Sequence, residues 1–146
     1  MISGIKEFYD QRHLERLVKE NAISKSETNI IQVNTKRLED IFDQYNVTHV
    51  NYLSIDVEGA EFEVILSINF NKVFIDVIGF ENNFVDVSIP IIQYLYHNGY
   101  ILVGKEDNIY SKGKDIFMIH HVHMCGICCI NPCIYIYQTL RTNNHF

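Results

Sequence analysis

The side chains of this 146-residue chain that could do chemistry gather where apolar runs give way to acids. Residues 50–55 are β-rich and mostly apolar, and they are followed by Asp56, Glu58 and Glu61 around a single Gly59. A second apolar run, 73–80, ends on Glu81, Asn82 and Asn83. A positioned carboxylate can take or orient a proton, and carboxylates beside amides offer the oxygen ligands that hard cations prefer. A third group lies near the end: His120, His121, His123, Cys125, Cys128, Cys129 and Cys133. Thiolates and imidazoles bind zinc. Cys125 and Cys128 have a suitable spacer, but no second well-spaced pair accompanies them.

Each group also has a plain structural explanation. Gly59 permits a tight turn, and acids at the start of a helix interact favourably with its dipole, by about 0.3 to 1 kcal/mol at exposed sites. Capping could therefore account for Glu58 and Glu61. Asp56 resists that account, because an ionised carboxylate after a buried strand costs desolvation energy unless it meets a donor, a cation or a ligand. Asn82 and Asn83 also suit turns, where asparagine bonds its own backbone.

The elements that would position these residues follow from periodicity. Leu14, Leu17 and Val18 recur at helical spacing after Asp10, which can accept orphan amide hydrogens, and so predict a surface helix over 11–22. Residues 30–33 read as a short strand without an identifiable partner. Thr35 is placed to cap a helix bearing Leu38, Ile41, Phe42 and Tyr45 on one side. Residues 50–55 predict a strand covered on both faces, 60–68 a largely buried helix, and 73–80 another strand. Ser88 and Pro90 suit the start of a fourth helix that Gly99 would end. Residues 100–104 and 116–120 would form an antiparallel hairpin. Strand–helix–strand units with apolar strands imply an α/β fold with a parallel sheet, whose ligands lie beyond the carboxyl ends of the strands. Asp56 and Glu81 both stand at such ends.

The string at 55–61, Ile-Asp-Val-Glu-Gly-Ala-Glu, together with 35–38, 73–82 and 115–120, resembles the C-terminal half of FkbM-family methyltransferases, over about residues 3–121. The resemblance implies a partial Rossmann-like class I methyltransferase sheet with a C-terminal antiparallel hairpin. It implies S-adenosylmethionine as donor and a small-molecule or glycan acceptor, methylated on oxygen. It makes Asp56 and Glu58 the candidate catalytic residues and places Asp56 beside the donor. By analogy with catechol-type enzymes, Asp56, Glu81 and Asn82 would hold a divalent metal. The pattern is entered partway: only Gly4 precedes Gly59, so the glycine-rich turn that carries the donor, and the acid after the second strand, have no counterpart. The alternative is a non-catalytic interaction module, or a degenerate fragment with a zinc-binding tail.

Composition narrows the partners. A formal charge of −6 and no Lys/Arg cluster argue against nucleic acid, which needs clustered cations. The start of the chain lacks a basic region followed by an apolar run, so a cytoplasmic setting is the default. Residues 116–140 contain no Asp, Glu, Lys or Arg, yet their histidines, Asn131, Pro132 and Gln138 speak against a membrane span. The family-like domain is expected over 1–121, with 122–146 an appended Cys/His tail. Without a strand beside residues 50–55, a flat apolar edge would invite self-association.

Overall fold

The computed structural model describes residues 4–25, 27–103 and 113–122. The cysteines, and with them the zinc reading of the tail, lie outside the described residues. After a short 3-10 turn at Lys6–Phe8, the elements run α1 (Gln11–Ser24), α2 (Leu38–Gln44), β1 (His49–Ile55), α3 (Glu61–Leu66), β2 (Phe74–Asn82), α4 (Val85–His97), β3 (Tyr100–Val103) and β4 (Lys114–His120). The four strands form one sheet in the order β1-β2-β4-β3. Only β1 and β2 are parallel; β4 pairs antiparallel with both β2 and β3. The α/β architecture, the parallel β1–β2 pair and the antiparallel terminal hairpin agree with the sequence.

One face of this sheet makes the core. Ile55, Ile78, Phe80, Ile116, Met118 and Tyr100 are all buried, together with Ile91, Ile92 and Leu95 of α4 and Ile65 of α3. The Tyr100 hydroxyl donates to the Ile75 carbonyl at 2.8 Å, so the one polar atom of this large ring is satisfied where it is buried. On the opposite face Tyr52, paired with Val77, and Phe117, paired with Gly79, lie 52% and 38% exposed. Residues 50–55 were expected to be covered on both faces. They form a half-exposed strand, and among the described residues β2 alone pairs with it, which leaves the edge that the sequence predicts. On that open face the Tyr52 hydroxyl and the Phe117 ring lie over Gly79, where a Cβ would come within 2.7 Å of the hydroxyl and displace it.

Local expectations were revised in three places. Residues 30–33 form no strand, and Ile30, Ile31 and Val33 are exposed, since no partner strand lies beside them among the described residues. Thr35 does not cap α2; the N-cap is Arg37, and the free amide hydrogens of Leu38 and Glu39 are met by the hydroxyl and carbonyl of Ser67 at the end of α3. Helix α4 starts at Val85, ahead of Ser88, so Pro90 falls inside it. Ser88 is then free for another task, a 2.7 Å bond from its hydroxyl to the Asn82 side-chain oxygen in the core. Gly99, at φ +88°, follows the end of α4 as expected.

Candidate functional site

The carboxyl ends of β1 and β2 meet beside the start of α1. Between β1 and α3 the chain turns through two residues of positive φ, Glu58 at +51° and Gly59 at +105°. Glu61 fixes this turn from within: 4% exposed, it accepts the Gly59 amide with both oxygens at 3.1 Å and the Val57 amide at 3.3 Å. Charge-assisted bonds to backbone amides compensate a buried carboxylate. Glu61 is thus committed to the backbone, which resolves its two readings in favour of structure.

Asp56 stands at the end of β1, exposed to solvent. The desolvation argument for it does not hold, because the strand that carries it is an edge strand. Glu58 is half-buried and takes a 3.2 Å ion pair from Arg16 of α1. Glu81 is half-buried at the end of β2; burial pushes its carboxyl up, the charges of Asp56 and Glu58 push it further, and a hydrogen bond from Asn83 works against them. The acids at 56, 58 and 81 therefore share one electrostatic environment, as the sequence predicted for strand ends.

Asn82 does not join them. Successive strand residues point to opposite faces, and Asn82 is fully buried on the core face, accepting from Ser88. The proposed metal set of Asp56, Glu81 and Asn82 is therefore not assembled, and no group of three His, Cys, Asp or Glu side chains suited to a metal ion occurs among the described residues. These residues do not fit a bound cation.

The same strand ends open onto a small cavity of about 80 Å³ lined by Asp10, His13, Gly59, Glu61, Glu81 and Asn83, with Phe8, Phe84, Val87 and Ser88. Two of its residues escaped the sequence reading as a pair. Asp10 caps α1 by accepting the His13 amide at 3.0 Å, as expected, and the same oxygen lies 3.0 Å from Nδ1 of the His13 ring. Burial raises the Asp10 carboxyl, but bonds from Arg12 and from the amide and ring of His13 outweigh it and hold its pKa near about 2. His13 is the one buried residue of α1. Its ring stacks on Tyr9 and meets Phe84 edge-on, while Arg12 lies over that Phe84 ring and pairs with Asp86. The readable signal was an acid at the N-cap with a histidine three residues on.

This cavity is well below the roughly 300 to 1,000 Å³ of small-molecule sites and suits one small polar group.

A strand–helix–strand unit with acids at its carboxyl ends and a buttressed Glu-Gly turn is a class of site built for a ligand beyond the sheet. The family follows from comparison. Residues 5–102 match the methyltransferase FkbM domain, more than half of the chain, and the chain belongs to that family. Strand β4 lies past the matched residues and completes the sheet. No curated protein and no solved structure matches the chain. Among the described residues no helix is long and apolar enough to cross a membrane.

Proposed function

We propose that this chain is a domain of an S-adenosylmethionine-dependent methyltransferase that acts on a hydroxyl group, and that its own residues serve the acceptor. The observation that carries the reading is the family match over 5–102, centred on the strand ends where Asp56, Glu58 and Glu81 gather. Asp56, solvent-facing at the rim, would orient the acceptor hydroxyl, and Glu58, held by Arg16, would line its approach. The acceptor is a small molecule or a glycan. By the family resemblance Asp56 would also stand beside the donor.

Calorimetry with S-adenosylmethionine, followed by transfer of labelled methyl to a panel of hydroxyl compounds, tests the proposal. Donor binding with transfer that Asp56→Asn reduces at least tenfold supports it. Absence of donor binding, both in this chain and in one extended upstream, removes it.

A second reading is favoured by the exposed apolar sheet face around Tyr52, Val103 and Phe117: an interaction module without catalysis, to which apolar patches of this kind are suited. A folded chain indifferent to the donor would support that reading.

A further inference from the structure

We propose that His13, oriented by Asp10, is a hydroxyl-binding and proton-accepting residue whose Nε2 serves a ligand O–H in the cavity beside Gly59. The proposal rests on the methyl-transfer reading for the identity of that ligand as the acceptor substrate, but its geometry is independent of it.

Tautomer logic makes the case. The Asp10 carboxylate is ionised and can only accept, so Nδ1, 3.0 Å from it, must carry the proton. In the neutral ring Nε2 then presents a lone pair. That atom is buried and meets no hydrogen-bond partner among the described residues. Its edge of the ring faces Gly59: a Cβ at position 59 would lie 3.0 Å from Cε1 and 3.3 Å from Nε2. The glycine that the turn requires for its backbone thus also leaves room in front of the imidazole.

Buried polar atoms left unpaired are rare in folded proteins, and the lone pair of Nε2 calls for a group that carries hydrogen. The carboxylates on the cavity wall cannot supply it while ionised. A hydroxyl can. Tyr9 and Phe84 fix the ring plane, and Asp10 fixes its tautomer, which is the arrangement of an orienting acid, a base and a substrate O–H. When the substrate oxygen attacks the methyl carbon of the sulfonium donor, an oxygen electron pair forms the new C–O bond, the methyl–sulfur bond breaks with its pair passing to sulfur to leave a neutral thioether, and the hydroxyl proton passes to Nε2, giving an imidazolium that Asp10 stabilises. The titratable or charged groups facing the ring are Tyr9 and Asp10 ahead of α1, Glu61 from α3 and Glu81 from β2.

The test is a long-range ¹H–¹⁵N spectrum of the histidine rings in the wild-type chain, with His13 assigned through His13→Gln and Asp10→Asn. Ethylene glycol, small enough for the cavity, is the probe, and 1,2-dimethoxyethane, which lacks O–H, is the control. The expected result is the Nδ1–H tautomer, with an Nε2 resonance that shifts progressively with glycol and not with the diether. A proton on Nε2 in the neutral ring, or equal response to both compounds, or none to either, overturns the proposal. S-adenosylmethionine calorimetry on the same sample and on a chain extended upstream separates the two readings: no donor binding in either, with the glycol response intact, removes methyl transfer and leaves the hydroxyl site, whereas donor binding with an indifferent Nε2 does the reverse. Where transfer is measurable, His13→Gln lowers kcat by about 10² to 10⁴-fold with KM little changed.

Discussion

Glu61 holds the Gly59 amide with both carboxylate oxygens, each at 3.1 Å, from a position almost closed to water. The acid and the glycine make one device. The turn needs the glycine's backbone freedom, and the turn's amides need the acid.

Removing the acid should therefore cost stability rather than chemistry alone. Glu61→Ala leaves the Val57 and Gly59 amides unpaired inside the protein, and bonds to charged groups are worth about 1.5 to 3 kcal/mol. Glu61→Gln keeps one acceptor oxygen and should lose less. Urea unfolding of both variants, read by circular dichroism, checks the order; equal losses would contradict it.

At Gly59 itself, alanine meets two obstacles: a φ of +105° and a Cβ 3.0 Å from His13 Cε1 and 3.2 Å from the Phe8 carbonyl. The expected destabilisation is about 1 to 3 kcal/mol, the scale of a residue forced into sparse backbone space. The His13 ring resonances should move as well. A silent Gly59→Ala, in both stability and spectrum, would show that the turn relaxes freely.

Glu81 gives a prediction with a definite sign in pH. Its folded-state carboxyl titrates above the ordinary value of 4.5, so below pH 4.5 it is protonated folded or unfolded and makes no difference. As pH rises through the folded value, ionisation next to Asp56 and Glu58 opposes folding. Glu81→Gln should accordingly raise stability near pH 7, by a few tenths to about 1 kcal/mol given its partial exposure, and the gain should vanish below pH 4.5. Denaturant midpoints at pH 4 and pH 7 decide it.

Asp10 has the opposite sign. Its folded value, near about 2, lies below the ordinary 3.8, so its contribution is present above pH 3.8 and is lost as pH falls toward 2. The side chain is 38% exposed, and screening keeps the effect below about 1 kcal/mol. Asp10→Asn should flatten the acid limb of the stability curve and free the His13 tautomer, which the histidine spectrum reads directly.

In the core, Tyr100→Phe deletes the hydroxyl bonded to the Ile75 carbonyl at 2.8 Å. A loss of about 0.5 to 1.5 kcal/mol is expected, with the fold retained, since the ring still fills its place. An unchanged thermal midpoint would mean that the carbonyl finds another donor.

The sequence exposed the local features and hid the relational ones. Apolar runs located β1 and β2, the acids marked their carboxyl ends, and Asp10 and Gly99 were read correctly as helix boundaries. Helix α1 was read from Leu14, Leu17 and Val18; Leu17 is half-buried, but Leu14 and Val18 are exposed and His13 is the one fully buried residue. Periodicity ranks residues by type, and a histidine buried by an acid three residues away has no weight on that scale. The cap of α2 was sought nearby in Thr35, whereas it comes from Ser67, 29 positions from Leu38. Asn82 was grouped with Glu81 by analogy with catechol-type enzymes, but neighbours in a strand send their side chains to opposite faces.

The Glu-Gly turn has a consequence for how such domains are found. Much of the string at 55–61 answers to the shape of the backbone: Glu58 and Gly59 occupy left-handed conformations, Ala60 is buried, and Glu61 closes the loop from inside. Only Asp56 among its acids is fully turned to solvent. A copy that had ceased to react would still need most of these letters in order to fold. The motif is therefore a better record of ancestry than of employment.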